Sequence, residues 1–170
     1  LTELRIRQGT RSLEWLRQHG TCADHLEARP SKVPQAGRGA FARRFLPRDT
    51  VVAQLPLIHI LDRSVLEMYH RNALGEPDPE LGVAGQQLLM NYCYGHAESL
   101  LLLCPYGPIV NFINHNRTRA NVSLRWSNPR KGNHDPALLE RSLDQLGRGA
   151  SAKLAFEIVA LRDIQPDEEV

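Results

Sequence analysis

The residues best equipped for chemistry lie in one short stretch, Val110-Asn111-Phe112-Ile113-Asn114-His115, with a second asparagine following at Asn121. Amide and imidazole side chains carry both donors and acceptors. Set directly behind an apolar run, they are costly to leave unpaired. The chain, water or a ligand must satisfy them. Alone, an Asn-His pair reads as a polar turn after a strand, because Asn tolerates left-handed dihedrals. Two other elements change that reading. Upstream, Gly37-Arg38-Gly39 places two glycines around one residue, which suits a sharp turn with backbone N–H groups open to a ligand. It is not a dinucleotide-binding fingerprint, since a third glycine and a following helix pattern are missing. Downstream lies a polar turn, Arg162-Asp163-Ile164-Gln165-Pro166-Asp167-Glu168-Glu169.

The elements that must position these residues are mainly β with short helices. Pro30 and Pro34 bracket a stiff connector before the glycines. Residues 51–60 are β-rich but interrupted by Pro56, which predicts two short strands or an edge strand. Residues 61–85 read as an insertion. There Asp62 or Ser64 caps a helix through Tyr69, and a Gly/Pro-rich loop follows. Residues 87–94 and 100–104 are expected to pair as a hairpin, with His96 in its surface turn. Val122 to Trp126 is strand-like. Leu138, Leu139, Leu143 and Leu146 stand at helical spacing behind Asp135-Pro136. Leu154, Phe156 and Ile158 alternate in a strand over 153–161. In the basic lead-in, residues 1–30, Ser12 caps a short helix carrying Leu13, Trp15 and Leu16 and ended by Gly20. Trp15 and Leu16 are expected to pack on the domain, which occupies 31–170.

Composition narrows the function classes. A chain of 170 residues fits one domain with a real core. A net charge of +2 and 6% aromatic content argue against direct nucleic-acid binding. No apolar run is long enough to span a bilayer, so no membrane partner is expected. Cys22, Cys93 and Cys104 are widely spaced, and no closed zinc site can be written from them. They read as small buried hydrophobes in a reducing, intracellular compartment, nuclear or cytoplasmic.

The three elements, with Phe45-Leu46-Pro47-Arg48-Asp49-Thr50-Val51-Val52 between the first two, resemble in order the signature of SET-domain protein lysine methyltransferases. Gly37-Arg38-Gly39-Ala40-Phe41-Ala42 is similar to that family's opening Gly-x-Gly element, and Phe112-Ile113-Asn114-His115 matches its Phe-Ile-Asn-His element. The resemblance covers residues 37–170. It implies small β-sheets around a pseudoknot-like crossing. It also implies S-adenosyl-L-methionine as cofactor, with backbone contacts from Arg38 and Gly39 to its methionine end, and Asn114 and His115 at its amino-acid and adenine parts. Tyr92, and less directly Tyr94, stand where the family places a channel tyrosine.

The implied reaction is methyl transfer to the lysine ε-amine of a protein substrate, histone or non-histone. The family's Asp-Tyr element, with the main catalytic tyrosine, is expected beyond Val170. The chain therefore reads as a fragment, inactive by itself, of an enzyme. This sequence departs from the family after the Asn-His pair: Asn116-Arg117-Thr118-Arg119-Ala120-Asn121 is one residue longer and lacks the usual Ser-Cys and Pro. The alternatives are a non-catalytic SET-like protein-binding module and an unrelated all-β binding domain. The latter leaves the order of the elements unexplained.

Overall fold

The computed structural model describes residues 11–20, 24–95, 98–129, 134–147 and 154–170. Cys22, His96, Arg5 and Arg7 lie outside them. The helix Leu13–His19 starts at Ser12, whose side chain accepts from the Trp15 N–H, and ends at Gly20. Trp15 and Leu16, expected to pack on the domain, are 41% and 46% exposed.

The strands are β1 (Leu26–Pro30), β2 (Arg38–Ala42), β3 (Val51–Ile60), β4 (Glu67–Tyr69), β5 (Val83–Gln86), β6 (Tyr94–Gly95), β7 (Leu102–Pro105), β8 (Val122–Trp126) and β9 (Ala155–Ala160). β1 pairs with β2 and β4 with β5, while a five-stranded antiparallel sheet runs β6-β7-β3-β9-β8.

β3 corrects the expectation at Pro56. It is one continuous strand at the centre of the sheet. β9 pairs with it up to Pro56, and β7 from Leu57 onward. The missing proline N–H therefore falls where one neighbour replaces the other, and little of the ladder is lost.

Two expected helices are shorter and tighter. Asp62 caps only a 3-10 turn, Arg63–Leu66, which runs straight into β4. Asp135 caps a second 3-10 turn, Pro136–Glu140, and a separate helix, Leu143–Gly147, follows. The expected hairpin forms, but 88–92 is a 3-10 turn and only Tyr94–Gly95 pairs with β7.

β9 is buried along its whole length. Phe156 and Ile158 join Leu46, Val52, Leu55 and Ile164 in the main core. Alternation would put Glu157 in solvent, yet it is 0% exposed. Its carboxylate accepts from Arg125 Nη2 at 3.0 Å, Ser127 Oγ at 3.0 Å and the Asn128 N–H at 3.4 Å. A buried charge persists when its lone pairs are filled in this way.

The cysteine expectation also fails in part. Cys93 and Cys104 are joined in a disulfide. They continue the register that pairs Tyr94 with Leu103, which brings their Cβ atoms face to face across the hairpin.

Candidate functional site

The C-terminal turn lies along β2. Ala42 N donates to Glu168 O at 2.9 Å, and Val170 N to Ala40 O at 2.8 Å. Leu46 and Ile164 exchange two backbone bonds of 2.9 Å. This pairing delivers Glu168 and Glu169 to the Gly-Arg-Gly segment from more than a hundred residues away.

The glycines do separate jobs. Gly37 has φ +69, the left-handed region that favours glycine, and ends the loop before β2. Gly39 lies within β2 rather than in a turn. A Cβ there would stand 2.1 Å from Glu169 Oε1. Gly39 is thus small because the carboxylate occupies the space.

Asn114 ties this corner together. Its Nδ2 lies 3.1 Å from Glu169 Oε1, 3.2 Å from Ser31 Oγ and 3.2 Å from Arg38 O. Ser31 Oγ in turn donates to Glu169 Oε1 at 2.5 Å, and the Lys32 N–H donates to Oε2 at 2.8 Å. Burial pushes the Glu169 carboxyl up, but these bonds outweigh it and hold it below the usual range. The amide nitrogen of Asn114 is therefore committed to the protein, which leaves its Oδ1 to accept from a ligand.

Asn121 repeats the arrangement one layer over. It is 6% exposed, and its Nδ2 donates to Glu168 Oε1 at 3.0 Å and to Glu169 O at 2.9 Å. Arg162 Nη2 reaches Glu168 Oε1 at 2.6 Å. Burial raises the Glu168 pKa, and the bonds from Arg162, Asn121 and the Gln165 N–H lower it further, to about 2. Ser31, Asn121, Glu168 and Glu169 were not among the site residues expected from sequence. The signal for the last three was the polarity of motifs already singled out; Ser31 offered none.

Beside this network lies a groove of about 530 Å³. Arg38, Asn114, His115 and Tyr92 all line it, so four of the five expected site residues meet in one place. Gly39 is not among its lining residues. Leu55, Val110 and Ile158 give the groove an apolar floor. The Arg38 guanidinium sits 5.0 Å from the Phe112 ring centroid and donates to Ala28 O at 3.1 Å. His115 is exposed, and Tyr92 is 41% exposed. A second cavity, of about 750 Å³, lies on the other side of Ile113, Asn114, His115 and Tyr94, which line both. The Tyr94 ring is held edge-on to Phe156 at 5.3 Å. Among the described residues, no cluster of His, Cys, Asp and Glu could hold a metal ion.

Comparison with known proteins gives three results. The family model for the SET domain matches residues 37–170. No curated protein sequence matches the chain significantly. Among solved structures, the chain is similar to a candidate histone methyltransferase of Plasmodium falciparum. The TM-score is 0.50 and the identity 15%, over 86% of this chain and 89% of the other. At that identity the likeness speaks for the fold.

Proposed function

The chain belongs to the SET-domain family, and on that premise we propose that the protein containing it transfers a methyl group from S-adenosyl-L-methionine to the ε-amine of a lysine in a protein substrate. The observation that carries this reading is the meeting of Arg38, Asn114, His115 and Tyr92 around one groove with an apolar floor.

The residues present fit the cofactor. A zwitterionic amino-acid end and a purine edge need donors and acceptors at fixed positions. Asn114 has a spare acceptor, Oδ1, held rigid by the bonds of its own nitrogen. The exposed imidazole of His115 can donate or accept at a ring edge. When bound, the cofactor supplies an electrophilic methyl group on a cationic sulfonium.

The chain's own residues prepare the amine. A lysine ammonium with an ordinary pKa of about 10.4 must lose its proton before it can act as a nucleophile. The floor of Leu55, Val110 and Ile158 disfavours its charged form. The Tyr92 hydroxyl, on the groove wall, accepts from the neutral amine and orients its lone pair. The family's further tyrosine, from an Asp-Tyr element after the Glu-Glu turn, would complete that wall. The remaining gain is alignment of donor and acceptor.

The test is calorimetric titration of S-adenosyl-L-methionine into the protein, as wild type and as His115→Ala. Binding lost in the variant, together with methyl transfer to protein lysine by the wild type, supports the reading. Equal affinities would remove His115 from the site. Binding without any methyl transfer would replace the enzyme by a protein-binding module.

A further inference from the structure

The groove wall that carries Tyr92 is held by one covalent bond and by a few contacts, chiefly Met90 against the small core of Leu66, Leu102 and Cys104 and the Tyr94 ring against Phe156. From Leu88 to Tyr92 it is a single 3-10 turn with no side-chain cap. Leu88, Leu89, Tyr92 and Tyr94 are all exposed. Its backbone is tied to the rest of the protein by the Gln87 N–H to Leu66 O bond and by the two-residue pairing of β6 with β7. Cys93, which lines the groove, is half-buried and bonded to Cys104. Cys104 is 2% exposed and sits on β7 opposite Ile58 of the central strand. The disulfide therefore joins an exposed wall of the groove to a buried position paired with the central strand. The Cys93 Sγ also lies 3.3 Å from Leu89 O, an acceptor in place for the thiol that reduction would create.

We propose that Cys93 and Cys104 form a thiol–disulfide switch that fixes the Tyr92 wall when oxidised and loosens it when reduced, with the oxidised protein the more active form. The dependence of activity on the switch rests on the methyltransferase reading; the dependence of wall order does not. The reductant is a small thiol such as glutathione. Its thiolate attacks the more accessible Cys93 sulfur, and the Cys104 thiolate leaves and takes up a proton. A second small thiolate then attacks the sulfur of the first, and the Cys93 thiolate leaves and takes up a proton, so that one disulfide and two thiols become two protein thiols and one small-molecule disulfide. The protein gains two electrons and the small thiols lose two.

The experiment poises the protein, in a Cys22→Ser background, in buffers of oxidised or reduced glutathione. It reads three quantities: alkylation of Cys93 and Cys104 by mass spectrometry, limited proteolysis within residues 87–101, and methyl transfer. The expected result is that both thiols are blocked together in oxidising buffer and alkylated together in reducing buffer. Proteolysis then rises about tenfold on reduction, and methyl transfer falls about tenfold. A Cys93→Ala/Cys104→Ala protein should match the reduced form in both buffers. Alkylation of both thiols in oxidising buffer, or proteolysis unchanged between buffers, overturns the switch. Redox-dependent proteolysis with no methyl transfer in either buffer keeps the switch and sinks the methyltransferase reading.

Discussion

Asn114 and Glu169 are 55 residues apart in sequence, and their side chains meet at 3.1 Å. That bond joins the Asn-His segment to the C-terminal turn directly over Gly39. It makes the two residues of the Asn-His pair unequal.

Asn114→Ala should damage both fold and binding. Removing its amide leaves Glu169 and Arg38 O short of a donor, at a cost of about 1–3 kcal/mol. His115→Ala, at an exposed position, should change stability by no more than about 0.5 kcal/mol. Both should lose cofactor affinity. Urea denaturation beside calorimetry separates the two effects; equal stabilities would mean that the Asn114 network carries no weight.

Gly39→Ala should destabilise through Glu169 in particular. The new methyl group would sit 2.1 Å from Glu169 Oε1 and 2.8 Å from its Cδ, so the carboxylate must move and drop its bonds to Ser31, Lys32 and Asn114. An overpacking cost of about 1–3 kcal/mol is expected. The same substitution in a Glu169→Ala background should cost clearly less. Additive losses in that double-mutant cycle would show that the clash lies elsewhere.

The Glu168 carboxyl, with a pKa of about 2 against an ordinary 4.5, links stability to acid. Its folded-state pKa is depressed, so the stability it contributes is complete above about pH 4.5. That contribution is lost as pH falls toward 2. Glu168→Gln should flatten the fall in stability between those limits, as followed by denaturation midpoints at several pH values. A variant with the wild-type slope would exclude this group as the source.

Arg125→Ala should weaken the β8–β9 edge of the sheet. Glu157 would keep Ser127 and the Asn128 N–H but lose its only ion pair among the described residues. Because Arg125 is itself half-exposed, a loss of about 1–3 kcal/mol is expected, short of that for a fully buried pair. The Glu157 carboxyl, held below its usual range largely by Arg125 and Ser127 against the upward push of burial, should then titrate higher. The acid limb of the stability profile would move to higher pH.

Tyr92→Phe removes a hydroxyl from the groove wall and leaves the ring. It should change the methyl-transfer rate, or the number of methyl groups added, more than it changes cofactor affinity. A variant altered only in its melting temperature would return Tyr92 to ordinary packing.

Much of this protein is written locally. Apolar spacing marked β8 and β9, Ser12 marked the start of the N-terminal helix, and four ordered motifs marked the family, because strand faces and caps depend on residues two to four apart. Where the outcome depended on distant neighbours, local patterns misled. Pro56 spoke for an edge or a break, and only the handover from β9 to β7 lets it sit in the central strand. Glu157 spoke for solvent, and only Arg125, Ser127 and Asn128, brought in from β8 and the segment after it, allow it to be buried. Three scattered cysteines spoke for free thiols, until the short β6–β7 pairing set two of them opposite each other. The sequence by itself thus determined the family and the order in which its motifs come. The tertiary structure alone decided that Asn114 spends its amide on Ser31, Arg38 and Glu169, because hydrogen-bond partners 55 to 83 residues apart are chosen by topology, which no local spacing encodes.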